Sequence, residues 1–204
     1  MIKTLIFDFG DVFLNLDKPA TLEKLKKHGI SDFSGEQIRI LQEYEKGNIS
    51  TENFIEIFQQ LFTDISEAEI LTSWNAILLD LPQKRLDFIK NLSEEKKYQL
   101  ILLSNTNELH IDCVMQNIPF FEEFKACFDA FYLSHEINFR KPDNSIFEFV
   151  LEKHKLVPQE ILFIDDTKEN TDAAAKMGFH TWNICPETDD ITNLFHHHSN
   201  LFQQ

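Results

Sequence analysis

Apolar positions along the chain fall into two textures. Short runs rich in branched and aromatic residues occur at 2–8, 98–104, 127–133, 160–165 and 179–184, and each ends in polar residues. Their length and near-continuous apolarity predict strands buried on both faces, as in a parallel sheet. Helical periodicity lies between the later runs. In "PDNSIFEFVLEKH" Ile146, Phe147, Val150 and Leu151 share one face, and "KENTDAAAKMG" ends in Gly178, a helix C-cap signal. Strand–helix–strand alternation implies right-handed crossovers and a Rossmann-like α/β core, an open parallel sheet with helices on both faces.

Residues 17–80 break the alternation and contain no convincing strand. "SGEQ" at 34–37 and "SEAE" at 66–69 read as capping boxes. Phe54, Ile55, Ile57, Phe58, Leu61 and Phe62 form one apolar stripe; Ile70, Leu71, Trp74, Ile77 and Leu78 form another. About four helices are therefore expected directly after the first strand. The expected division is a core of residues 1–15 and 81–204 and a helical cap bundle of residues 16–80. An insertion there stands over the carboxyl ends of the strands, where open α/β sheets bind ligands, and is placed to act as a lid.

Composition narrows the partners. With 204 residues, 43% of them hydrophobic and 20 of them Phe, the chain can bury a sizeable core. A formal net charge of −15 repels nucleic acid and anionic membranes. No apolar stretch reaches the roughly 18 residues of a membrane span. Three scattered cysteines, Cys113, Cys127 and Cys185, fit a reduced cytoplasmic protein. The "HHH" at 196–198 has no partner at ligand spacing. Nothing in the sequence speaks to oligomeric state.

Four strand ends carry unusual polar residues, and a parallel sheet brings them to one edge. They are Asp8, then Ser104 and Asn105, then Arg140 and Lys141, then Asp165 and Asp166. Singly each has a bland reading as a helix cap or polar strand exit. Together they form a pocket suited to phosphoryl transfer. A carboxylate such as Asp8 can attack phosphorus. Mg²⁺ held by Asp8 and Asp166 relieves the repulsion between two anions. The Ser104 hydroxyl and an Asn105 N–H can hold phosphate oxygens, and Lys141 adds fixed positive charge.

The motifs "IFDFGDV", "LLSNTN", "RKPD" and "FIDDTKENTDAA" resemble, in order, the four motifs of the haloacid dehalogenase-like hydrolase superfamily. The insert falls where that family places its C1 cap. "LLSNTNELH" and "YLSHEINFRKPD" more particularly resemble bacterial sugar-phosphate phosphatases of the glucose-1-phosphate phosphatase type. The resemblance implies a Mg²⁺-dependent hydrolase acting on a small phosphorylated metabolite. It implies Asp8 as nucleophile and metal ligand, the Gly10 backbone carbonyl and Asp166 as further metal ligands, and Ser104, Asn105 and Lys141 around the phosphate. Asp165 and Asn170 become supporting residues.

Phosphatases of that superfamily usually carry a second Asp two residues after the nucleophile, to protonate the leaving oxygen. Here that position is Gly10. Its loss points to a slow phosphatase or to one restricted to easy leaving groups, such as the anomeric hydroxyl of a sugar 1-phosphate, unless Asp11 substitutes; the simpler reading of Asp11 is a turn residue. A metal-free dehalogenase and a non-catalytic phosphate- or metal-binding protein stay open as alternatives. In the cap, Tyr44, Glu45 and Trp74 are candidates for substrate contacts.

Overall fold

The computed structural model describes residues 1–62 and 64–202. Five strands, β1 Thr4–Phe7, β2 Gln99–Ser104, β3 Ala130–Leu133, β4 Ile161–Asp165 and β5 His180–Asn183, form one sheet in the order β3-β2-β1-β4-β5. Every pairing is parallel. All five apolar runs thus become strands, each shorter than its run. At β3 Cys127 and Phe128 are apolar but belong to the approach from the preceding helix rather than to the ladder.

The pleat sorts the strands onto two cores. Leu5, Phe7, Leu100, Leu102, Leu162 and Ile164 face one side, and Ile6, Ile101, Leu103, Ile161 and Phe163 the other. The first side holds edge-to-face rings: Phe124 contacts Phe13 and Phe128 with centroids 5.1 Å apart in each case. Burying such a ring contributes about 1.5–3 kcal/mol.

Four helices fill the insert: α1 Ala20–Leu25, α2 Gly35–Glu45, α3 Thr51–Leu61 and α4 Glu67–Trp74. Both capping boxes form, with Ser34 and Gln37 bonding reciprocally, and likewise Ser66 and Glu69. These helices enclose their own cluster around Tyr44, Phe54, Phe58 and Trp74, in which Tyr44 stacks on Phe54 at 4.1 Å. The two chain crossings between insert and sheet run side by side: Asn15 N–H donates to Asp80 O, Leu79 N–H to Asn15 O and Asp17 N–H to Ile77 O.

The remaining helices flank the sheet: α5 Gln83–Glu95, α6 Glu108–Asn117, α7 Phe121–Lys125, α8 Ser134–Ile137, α9 Asn144–His154, α10 Lys168–Lys176, α11 Leu194–His197 and α12 Ser199–Phe202. Gly178 follows α10 at φ +90°, the left-handed stop its position suggests. His197 and His198 pack their rings on Trp182 at 5.4 and 5.0 Å. No helix among the described residues is long and apolar enough to cross a membrane.

Candidate active site

Strand β1 lies at the centre of the sheet, and the chain passes from β2 and β3 on one side of it to β4 on the other. That reversal opens a crevice at the carboxyl ends of β1 and β4. Asp8 follows β1 directly, and its N–H continues the ladder to Ile164 O at 2.9 Å. Register then sets the neighbours: Phe7 pairs with Leu102 and with Ile164, so the ends of β2 and β4 flank Asp8.

A cavity of about 450 Å³ opens here, lined by Asp8, Gly10, Lys141 and Asp166 from the core and by Lys18, Gln42 and Glu45 from the insert. Lys141 is fully buried at its floor. Its ammonium lies 2.9 Å from Asp8 Oδ1 and 2.6 Å from Asp165 Oδ2. Burial disfavours that ammonium, but Asp165 and Asp8 outweigh it and hold the Lys141 pKa above the ordinary lysine value. The Asp8 pKa is raised as well, here against the charged form. Burial pushes its carboxyl up, Lys141 opposes, and the Asp165 and Asp166 charges push it further.

Asp165 and Asp166 are neighbours in sequence with opposite surroundings, because successive side chains leave a strand on opposite faces. Asp165 is completely buried and saturated. Its oxygens accept from Lys141 Nζ, the Thr167 N–H and Asn170 Nδ2. Asp166 lines the cavity, and among the described residues its Oδ2 is held only by the exposed Lys18 ammonium at 2.6 Å. One oxygen each of Asp8, Asp165 and Asp166 lie within 4.8 Å of one another, close enough for a metal ion. Asp8 Oδ1 is buried, and among the described residues the Lys141 ammonium, 2.9 Å away, is its close polar neighbour. An oxygen with spare acceptor capacity, next to a second cavity-facing carboxylate, suits a hard divalent cation.

Asn105 does something its place in the sequence did not suggest. Its side chain clasps the backbone of Lys141, with Nδ2 donating to Lys141 O and Oδ1 accepting from Lys141 N–H, both at 2.8 Å. One amide hydrogen and the oxygen are thus used in seating the lysine. Ser104 is buried and faces a second cavity of about 150 Å³, mostly apolar, which shares Gly10, Leu16, Glu45 and Asn105 with the first.

Asp11 is a turn residue. It sits at φ +54°, a conformation Asp tolerates better than most residues. Its Oδ1 accepts from Leu16 N–H at 3.1 Å, and its Oδ2 pairs with Lys18 at 2.9 Å. Both oxygens fasten the loop, and Asp11 is absent from the lining of the cavity that holds Asp8. At Gly10 a Cβ would stand 2.8 Å from Leu16 Cδ1, so the leucine occupies the space a larger residue would need.

The three cap candidates separate. Tyr44 is buried in the bundle, with its hydroxyl against Thr51 Oγ1 and the Leu109 N–H. Trp74 stacks on His110 at 5.4 Å and donates Nε1–H to Asn107 Oδ1. Both tie the cap to α6. Glu45 alone of the three lines the cavity. Its Oε2 is held by Arg140 Nε at 3.1 Å and Nη2 at 3.0 Å, and burial pushes its carboxyl up against the pull of Arg140. The backbone just behind it is fastened to α8: Ser134 Oγ lies 2.6 Å from Glu45 O, and Asn138 Nδ2 donates to Lys46 O at 2.8 Å. Gly47, at φ +68°, lies so close that a Cβ would stand 2.1 Å from His135 O.

Residues 2–178 match the haloacid dehalogenase-like hydrolase family, and the chain belongs to that family. It is 29% identical over 190 residues to a D-ribitol-5-phosphate phosphatase of Bacteroides thetaiotaomicron, covering 89% of this chain and 91% of that one. A haloacid dehalogenase family enzyme from the same organism, solved as a magnesium complex, superposes with a TM-score of 0.83 at 32% identity, over 100% of this chain and 99% of that one. A predicted family hydrolase from Porphyromonas gingivalis superposes with the same TM-score at 26% identity, over 100% and 99%.

Proposed function

We propose that this chain is a Mg²⁺-dependent phosphomonoester hydrolase acting on a small polyhydroxylated metabolite through an aspartyl-phosphate at Asp8. The observation that carries the reading is the Lys141 ammonium, buried between Asp8 and Asp165 at the floor of a cavity that Asp166 also lines. That floor matches a reaction that brings an anion to a carboxylate nucleophile. Asp8, the Gly10 carbonyl and Asp166 are the proposed metal ligands. The bound ion would offset the repulsion between Asp8 and phosphate and keep Asp8 ionised against its burial. Ser104, an Asn105 N–H and Lys141 receive the phosphate oxygens. The magnesium-bound relative supports this set, and so does the phosphatase name of the other.

The retained Asp166 and the saturated Asp165–Lys141–Asn170 group weigh against a metal-free dehalogenase. The substrate's far end meets Gln42 and Glu45 of the cap and Arg140 of the core, all polar, which suits hydroxyl groups. Two leaving-group classes compete. The missing acid at Gly10 favours sugar 1-phosphates, whose anomeric oxygen leaves readily. The ribitol-5-phosphate relative favours a primary alcohol. A reducing cytoplasmic setting suits three cysteines that are all free.

The test is turnover of sugar, alditol and aryl phosphates with Mg²⁺, with EDTA and with Asp8→Asn. Turnover that needs the metal and falls at least 10⁴-fold in a folded Asp8→Asn protein is the expected result. Metal-independent turnover, or phosphate binding without turnover, overturns the reading.

A further inference from the structure

Gly10 leaves the departing oxygen without its usual proton donor, and the geometry points to Glu45, reaching in from the cap, as the group that supplies and later removes that proton. The inference rests on the phosphatase reading above.

Position and elimination carry it. Gly10 and Glu45 both line the larger cavity and both line the smaller one behind it, so they share the boundary between the two. A leaving group bound toward the cap meets that boundary. Glu169 lines the larger cavity but not the smaller, and so stands away from the boundary where Gly10 lies; the remaining acid or base groups nearby are committed elsewhere. Asp8 is the nucleophile and Asp166 a proposed metal ligand. Asp11 has both oxygens in its own loop, and the Lys18 ammonium is shared between Asp11 and Asp166. His110 lines the smaller cavity, but its Nδ1 contacts Asn107 and its Nε2 contacts the Trp74 carbonyl.

Glu45 is differently placed. Arg140 grips one carboxylate oxygen, Oε2, through two nitrogens and so fixes the orientation of the group. No hydrogen bond to Oε1 is made among the described residues, and that oxygen is left for a ligand. Burial pushes the carboxyl up, which increases the protonated share. The fastening of residues 45–47 to α8 holds the group in place against the core.

An Asp8 oxygen forms a bond to phosphorus as the bond from phosphorus to the leaving oxygen breaks. The electron pair stays on that oxygen, which takes the Glu45 proton and departs as an alcohol. The Glu45 carboxylate then takes a proton from water as that water attacks the phosphoaspartate. The bond between Asp8 oxygen and phosphorus breaks, phosphate leaves, and both carboxyl groups return to their starting states. A primary alcohol then becomes an accessible leaving group despite Gly10.

The test uses the Mg²⁺-loaded enzyme and aryl phosphates of graded leaving-group pKa, which carry no hydroxyl groups for the cap to bind. The wild type should show a shallow fall of log(kcat/KM) with leaving-group pKa. Glu45→Gln should steepen it, losing 10²–10⁴-fold on the poorest leaving groups and little on the best. A phosphorothiolate, whose sulfur leaves without a proton, should be turned over by the variant as by the wild type. Equal losses across the series, or an unchanged slope, overturn the proposal. Should Glu45→Gln fail to fold, the wild-type slope decides alone, since a steep one excludes an acid in place. Wild type inert on every phosphomonoester overturns the phosphatase reading itself.

Discussion

The floor of the cavity and the part of the seam where Trp74 and Tyr44 of the insert meet α6 are both networks of polar side chains, yet they are built on opposite principles. On the floor, Asp8, Lys141 and Asp165 are ionisable groups taken out of water, and each is tolerable only because the others are there. In the seam, Trp74, His110, Asn107 and Tyr44 meet as neutral groups through ring stacking and ordinary hydrogen bonds. Loss of one partner on the floor strands a buried charge. Loss of one in the seam removes a single contact. The cavity is thus assembled from a brittle half at the strand ends and a tolerant half beneath the helical insert.

The strongest way to break the contrast is at Lys141. Lys141→Met leaves Asp8 and Asp165 buried without their cation, and a loss of roughly 3–5 kcal/mol is expected. Urea unfolding without metal reads it. Mg²⁺ should restore part of the loss by pairing with Asp8, and no stabilisation by Mg²⁺ counts against the metal assignment.

Gly47 is a point of close backbone approach in the seam. Gly47→Ala places a methyl on the His135 carbonyl in a backbone conformation that alanine resists. About 2–3 kcal/mol of destabilisation is expected, with altered Trp74 fluorescence as the cap shifts. A drop confined to the sheet, as read by hydrogen exchange, would show that the seam is not where the strain lands.

Acid should loosen the seam too. Burial holds the His110 pKa at about 4, below the ordinary 6.5, despite the Trp74 carbonyl. Its folded pKa is depressed, so the unfolded chain binds the proton first. The contribution is therefore whole above about pH 6.5 and is lost as pH falls toward 4. At roughly 1.4 kcal/mol per unit, discounted for partial exposure, about 1–2 kcal/mol is at stake. His110→Gln should flatten that segment of the stability profile.

The smallest effect is expected of Trp74→Phe, which removes the Nε1 donor but keeps a stacking ring. Asn107 Oδ1 still accepts from the His110 N–H, so no acceptor is stranded. A cost of about 1 kcal/mol follows, measurable as a small shift in the urea midpoint. A larger cost would place the seam closer to the floor in character.

The two halves also differ in how far they can be read from sequence. Buried parallel strands are continuous apolar runs, so the polar residues that end them stand out, and Asp8, Ser104 and Asp166 are legible on that ground; Lys141, expected at a strand end, instead lies beyond α8, eight residues past the end of β3. The seam is made of contacts between residues with ordinary local roles. Trp74 fits the apolar stripe of α4, and Asn107 fits an N-cap; nothing local says they meet. The same holds for the Asn105 clasp on Lys141, made across 36 residues, and for Lys18, which follows a turn signal and gives no hint of Asp166. Adjacent "DD" residues are the middle case. Strand alternation says that one faces the cavity and the other the core, but only the packed structure says which.

The paired crossings at Asn15–Asp17 and Ile77–Asp80 have a consequence for how such a molecule can change. Because entry and exit lie hydrogen-bonded side by side, everything between them is, for the sheet, the equivalent of a tight turn. A different bundle with the same narrow stem can be grafted there without shifting a strand. Novelty in what the pocket admits can therefore arrive in one recombination event, with the strand ends beneath it left as they were.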